Sequence, residues 1–302
     1  MRVAFALALC LLLGAAAQAR EQSPAPKVVA SIRPVHAIAA AVMAGAAAPD
    51  LLAVAGSPHS YALKPSDARK LAEAGVIFWI GPELETFLVR PLANSGARVV
   101  ALGSGAGILR RPARQGGVWE DAHDDHDHAA GPVEPHLWLD PRNGSAIARA
   151  MAETLGAIDP ARAALYRRNA EGFASRVTRL DTELAQRLEP VKSRRYIVLH
   201  DAYHYFEERY GLSPAGAVTV AADRPVGARR LEAIRARIRS ASVTCVITPP
   251  QVSPKLLSAI TEGTSARVVA VDDLGANLPA GPALYETLLR RMGEGFGACL
   301  GG

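Results

Sequence analysis

The side chains in this sequence best suited to chemistry are imidazoles, and they are unevenly placed among 302 residues that include eight histidines. His59 lies in Gly56-Ser57-Pro58-His59-Ser60-Tyr61. His136 lies in Glu134-Pro135-His136-Leu137-Trp138-Leu139-Asp140-Pro141, and His200 in Val198-Leu199-His200-Asp201-Ala202-Tyr203. A carboxylate, Asp272, stands in Val271-Asp272-Asp273-Leu274-Gly275. Imidazole nitrogen and carboxylate oxygen hold Zn²⁺ at about 2.0–2.2 Å in tetrahedral array, so three histidines and one aspartate suit that ion. Any one of these histidines alone reads as a packed or hydrogen-bonded residue. Three of them at equivalent places in two halves of the chain do not.

A second cluster is looser. In Asp121-Ala122-His123-Asp124-Asp125-His126-Asp127-His128, three imidazoles alternate with carboxylates. His123, His126 and His128 form a weak auxiliary chelator, or the tract is simply a solvated acidic segment. A chain without regular structure must be ordered when it binds, which weakens it relative to a preformed site. His36, early in the first helix, is read as structural. His204, four residues after His200, is a secondary ligand candidate, although His200 precedes the helix.

These residues need elements to position them. From Lys27 onward short apolar runs alternate with longer amphipathic ones, the signature of a βα architecture. The pattern predicts strands over 28–30, 51–54, 76–80 and 98–102, with helices over 34–44, from a cap at Ser66 through Leu71, and over 82–92. Residues 103–134 are rich in Gly, Arg, Asp and His and form a long loop. A helix over 142–155 follows, and Asp159-Pro160 starts a long one in which Leu165, Phe173, Val177, Leu180, Leu184 and Leu188 keep helical spacing up to Pro190. Strands over 196–199, 217–220, 243–248 and 268–271 then alternate with helices over 202–209, 228–239, 255–262 and 282–292. The expected fold is α/β: two lobes, each a four-stranded parallel sheet flanked by helices, with one long helix between them that is long enough to touch both. His59, His136, His200 and Asp272 all fall at carboxyl ends of strands, where open α/β sheets bind ligands. The expected division is 1–19, a signal peptide; 20–158, the first lobe with its loop at about 103–134; 159–190, the linking helix; and 191–302, the second lobe.

The amino terminus carries Arg2, an apolar run from Val3 to Leu13 and then Ala17-Gln18-Ala19, the pattern of a cleavable export signal. The run is shorter than the roughly 20 residues of a membrane span, and an uncleaved anchor is the alternative. Cys10 lies inside the apolar run behind a bulky leucine, so a lipoprotein is excluded. Cleavage would leave Cys245 and Cys299 as the remaining cysteines. An even pair in an exported chain reads as a disulfide, with two buried thiols as the alternative. The charge excess is small, 34 basic against 29 acidic residues, and no basic run interleaves with aromatics, so no nucleic-acid partner is expected.

Taken together, the segments quoted, with Val28–Pro34 and Ser57–Asp67, resemble the zinc-uptake branch of the cluster A-I (cluster 9) metal receptors that serve bacterial ABC importers. The resemblance covers nearly the whole mature chain. It implies two lobes joined by a rigid helix, Zn²⁺ as the transported ligand in the cleft, and His59, His136 and His200 as ligands. Some zinc members carry a Glu before the first histidine; here Pro58 occupies that place, which favours Asp272 or a water as fourth ligand. The His-rich loop is typical of zinc members, and Cys245 with Cys299 matches a disulfide common in the branch. The implied setting is the periplasm, the implied partner an inner-membrane ABC permease, with a periplasmic zinc chaperone as a further candidate and a monomer as the expected state. A manganese or iron receptor is the near alternative, but those metals favour more oxygen donors. A zinc hydrolase is the alternative from another class. It would need a general base and pocket, and the chain has neither His-Glu-x-x-His nor a nucleophile elbow; no enzyme is expected.

Overall fold

In a computed structural model, which describes residues 23–52, 56–114, 132–219 and 227–301, eight strands form two sheets of four. The first sheet comprises β1 (Val28–Ala30), β2 (Asp50–Leu51), β3 (Val76–Trp79) and β4 (Arg98–Ala101), in the order β2-β1-β3-β4. The second comprises β5 (Arg195–His200), β6 (Ser213–Thr219), β7 (Cys245–Thr248) and β8 (Arg267–Ala270), in the order β6-β5-β7-β8. Every pairing is parallel. The two sheets thus share one topology, and in each the chain steps first to one side of its opening strand and then to the other. That reversal opens a crevice at the carboxyl ends of the strands.

Period-two alternation divides each strand between two cores. Val28, Ala30, Val76 and Phe78 of the first sheet and Tyr196 and Val198 of the second all face one shared apolar core. Val29, Ile77 and Trp79, and likewise Ile197 and Leu199, face separate outer clusters. The shared core is filled by α1 (Arg33–Val42), α4 (Pro141–Ile158), α5 (Ala163–Leu188) and α9 (Leu284–Leu300). α5 spans roughly 39 Å at 1.5 Å per residue and buries Tyr166, Ala170, Phe173, Val177, Leu180, Leu184 and Leu188. Short 3₁₀ turns, Pro160–Arg162 and Glu189–Val191, extend it at both ends. The remaining helices are α2 (Pro65–Glu73), α3 (Val89–Ala93), α6 (His204–Tyr210), α7 (Ala228–Ser240) and α8 (Pro254–Thr261).

The sequence pattern misplaces several boundaries, each for a local reason. Helix α2 is capped not by Ser66 but by Asp67, whose carboxylate accepts the Lys64 N–H at 2.9 Å, with Pro65 at the first helical position. The segment 82–92 is not one helix. Glu85 folds back to accept the N–H groups of Ile80 and Gly81, at 3.2 and 2.9 Å, and a 3₁₀ turn (Thr86–Leu88) leads into the short α3. Asp159 makes no cap; its carboxylate binds Arg162 and the Tyr166 hydroxyl, both at 2.8 Å. Tyr166 rather than Leu165 therefore opens the buried stripe of α5.

The last helix runs eight residues past the expected Met292. Gly293 and Gly295 look like helix breakers, yet they serve close packing. A Cβ at Gly293 would lie 2.3 Å from Leu184 Cδ2, and one at Gly295 2.7 Å from Val271 Cγ2. Gly144 in α4 does the same for Tyr285, which crosses it to donate its hydroxyl to the Trp138 carbonyl at 2.7 Å.

Cys245 in β7 and Cys299 in α9 are joined by a disulfide across a sequence separation of 54 residues, with their Cα atoms 5.7 Å apart. Closing a loop of that length stabilises by roughly 4 kcal/mol in the chain-entropy model. Thiol titration of the denatured, unreduced mature protein is expected to find no free thiol; two free thiols would remove this staple from the fold. Gly144→Ala should lower stability by about 1–3 kcal/mol through overpacking, because the new methyl would sit 2.1 Å from the Tyr285 hydroxyl. Gly172→Ala, at an exposed position of α5 with no closer neighbour than 3.7 Å, should raise stability by about 0.5–1 kcal/mol. Urea midpoints for the two variants check both signs.

Candidate metal centre

Three different local structures aim imidazoles at one point. His59 sits in the turn beyond β2, where its N–H is taken by Ser57 Oγ at 3.3 Å. Tyr61 and Asp67 moor the far side of that turn to α2, hydroxyl to carboxylate at 2.9 Å. His136 opens a 3₁₀ turn (Leu137–Leu139) whose three side chains are all buried. Asp140 then caps α4 by accepting the Arg142 N–H at 2.8 Å. His200 ends β5. It continues the phase of Tyr196 and Val198, which brings it out on the face that looks across to the first lobe.

The result is a group in which one ring nitrogen from each of His59, His136 and His200 lies within 4.8 Å of the other two. The Nε2 atoms of His59 and His136 are 3.2 Å apart, and those of His200 and His136 are 3.3 Å apart. His136 and His200 are nearly sealed from solvent, at 2% and 6% exposure, while His59 is half-buried. Burial pushes His136 down to about 3, so at neutral pH it is the uncharged imidazole that metals bind.

Asp272 does not join the group. Its Oδ1 accepts the N–H groups of Leu274 and Gly275 at 3.0 and 2.8 Å, closing the turn in which Gly275 takes φ +71°. The neighbouring Asp273 offers its carbonyl to Trp138 Nε1 at 2.9 Å. Burial lifts the Asp273 carboxyl to about 7, and the charges of Asp272 and Glu134 push the same way. His36 contacts the Pro49 carbonyl through Nε2 at 3.0 Å, a tie within the first lobe. His204 is buried in α6, away from the group, and burial pushes it down to about 3. His123, His126 and His128 lie outside the described residues.

Residues that sequence pattern alone did not single out support the group. Glu134, 3% exposed, receives Nδ1 of His136 and also the His136 backbone N–H, at 3.2–3.3 Å. Burial pushes the Glu134 carboxyl well above the usual carboxylate range, against the pull of that backbone N–H. Arg114 pairs with Asp201, next to His200, and with Glu207 of α6. Desolvation works against the Arg114 charge, but Glu207 and Asp201 outweigh it and raise its pKa. The Glu-x-His spacing was a usable signal for Glu134, since a carboxylate two residues from a ligand can reach the ring's far nitrogen. For the Arg114 cluster, assembled over about ninety residues of separation, the sequence carries none.

Known proteins resemble this chain along almost its whole length. The family model described as zinc-uptake complex component A, periplasmic, matches residues 28–298. The high-affinity zinc uptake system protein ZnuA of Brucella abortus is 43% identical, over 90% of this chain and 91% of its own. That of Paracoccus denitrificans is 37% identical over 98% of both chains. Among solved structures, a mutant of the laminin-binding adhesin of Streptococcus agalactiae superposes with a TM-score of 0.77, covering 91% of this chain and 99% of that one. At 23% identity that likeness speaks for the fold alone. The two-sheet architecture, the extent of the family match and the identity to the zinc uptake proteins agree, and the chain belongs to the family of the periplasmic component A of zinc-uptake complexes.

Proposed function

We propose that this protein is the periplasmic receptor of a zinc importer: it captures Zn²⁺ between its lobes with His59, His136 and His200 and passes the ion to an ABC-type permease. The observation that carries this reading is the Nε2 spacing of 3.2 and 3.3 Å. Ligands at about 2.0–2.1 Å from a tetrahedral zinc stand about 3.3–3.4 Å from one another. Three nitrogen donors and no carboxylate in the group also favour zinc over the oxygen-preferring manganese. Family membership supports transport over hydrolysis, and no residue is assigned a catalytic role. Export by a signal over residues 1–19 and operation as a monomer complete the reading.

A water molecule fills the fourth position, because the Asp272 carboxylate already holds its own turn closed. The His-rich loop adds weak capacity at most, since a chain that must be ordered on binding holds an ion less tightly than a preformed group.

A ligand that binds the folded state alone stabilises it by about 4 kcal/mol at a thousandfold excess over Kd. Zinc should therefore raise the melting temperature of the parent clearly, and His200→Ala should abolish most of that rise. A variant that keeps the full rise would place the ion outside the two-lobe cleft. For the fourth position the informative pair is Asp272→Asn and Asp273→Asn, measured by competition titration. Both are expected to hold zinc within about threefold of the parent, as water completes the tetrahedron. A hundredfold loss for either variant, at an unchanged melting temperature of the metal-free protein, would make that carboxylate the fourth ligand.

A further inference from the structure

We infer that Glu134 is the positioning residue of the centre: it holds the Nδ1 proton of His136 and thereby fixes Nε2 as the nitrogen that faces the ion. The inference rests on the zinc reading above and concerns how one ligand is kept in place.

An imidazole has two chemically similar nitrogens, and rotating the ring about its bond to Cβ exchanges which of them points into a site. Something must break that symmetry. At His59 the turn is half-open, but His136 is sealed and its other nitrogen meets Glu134. The same carboxylate takes the His136 backbone N–H at 3.2–3.3 Å, so ring and main chain are gripped by one group.

Glu134 is itself held firmly. Its N–H donates to the Arg111 carbonyl at 2.9 Å, and its carbonyl accepts the Tyr205 hydroxyl at 3.1 Å. Tyr205 belongs to α6 of the second lobe, and its oxygen also receives the Arg111 N–H at 2.9 Å. Between carboxylate and imidazole stands Pro135, whose ring fixes its own φ and keeps Glu134 out of the helical region. Acid, proline and histidine thus form a stiff three-residue bracket, tied to both lobes.

The same hydrogen bond bears on the strength of the ligand. An imidazole that gives its Nε2 lone pair to a cation keeps its proton on Nδ1, and Glu134 is then the acceptor. A carboxylate hydrogen-bonded behind a ligating ring raises the basicity of that ring, and loss of such partners typically weakens metal binding 10–100-fold. Glu134 is a carboxylate hydrogen-bonded directly to a ring of the group.

The test compares the full-length mature parent with Glu134→Ala and Glu134→Gln. Zinc affinity is read by competition titration, and the ring N–H signals of the zinc-loaded proteins by proton–nitrogen NMR, with His136 assigned through its loss in His136→Asn. In the parent, the Nδ1–H of His136 should be strongly downfield and slow to exchange. Glu134→Ala should lose that signal, while those of His59 and His200 remain, and should bind zinc 10–100-fold more weakly. Glu134→Gln keeps an acceptor oxygen but no charge. It should retain the signal and lose less affinity, and being nearly isosteric it carries the test if the alanine variant does not fold. Unchanged affinity in both variants overturns the role of Glu134. So does weaker binding in Glu134→Ala with the Nδ1–H signal intact, because the residue would then act only through the fold. A parent that binds no zinc takes down the receptor reading itself, and this inference with it.

Discussion

One juxtaposition organises this structure: three imidazole nitrogens, from the turn beyond β2, a 3₁₀ turn and the end of β5, lie within 4.8 Å of one another. Lone pairs that close repel or compete for protons, so the group does not hold itself together in the absence of an ion. The surroundings have to do it. They do so through an apolar core that runs unbroken from the first sheet to the second, through α1, α4, α5 and α9. Polar ties then fix the segments that carry or adjoin the histidines: Trp138 to the Asp273 carbonyl, Tyr285 to the Trp138 carbonyl, and Tyr203 to the Val271 carbonyl. Each is an aromatic side chain whose body fills the core and whose polar tip meets a backbone oxygen, so one residue both packs and positions.

Electrostatics at the centre follow the same economy. Glu134, Asp201 and Glu207 are all buried, and burial pushes each of their carboxyls upward. Arg114 stands against Asp201 and Glu207, and Tyr196 donates its hydroxyl to Glu207 at 2.9 Å. Such a cluster adds little to stability relative to an apolar core of the same volume, but removing one member strands the others at a cost of several kcal/mol. Its value is one of place. Arg114 is held to Asp201, the residue after His200, and to Glu207 of α6.

How much of this was legible in the sequence depends on distance along the chain. The two parallel sheets, the long helix and the His59, His136 and His200 triad could be read because each signal is local: an alternating strand, a helical stripe, a histidine at a strand end. The true end of α9 is not legible for the same reason. Gly293 and Gly295 look like breakers until Leu184 and Val271, distant in sequence, are seen against them. Asp272 was singled out as a ligand by its place beyond a strand, but the N–H groups of Leu274 and Gly275 claim its carboxylate. That competition between a backbone turn and an ion cannot be seen without the path of the chain. The value of Glu134 lay in plain view two residues from His136, hidden only because a motif records which residues recur and not which atoms meet.

The uneven exposure of the three histidines has a kinetic consequence. One apolar core is continuous across both lobes among the described residues. His136 and His200 are locked in sealed surroundings, whereas His59 is half-open and moored by a hydroxyl, a carboxylate and a serine within its own neighbourhood. Exchange of the bound species would then proceed one arm at a time. On the zinc reading proposed above, the turn at His59 would let go first, with the two sealed imidazoles keeping hold. Residence time is in that case set by the opening of a single turn, and surface changes around residues 56–64 could quicken or slow release while leaving the deep pair, and most of the binding strength, untouched.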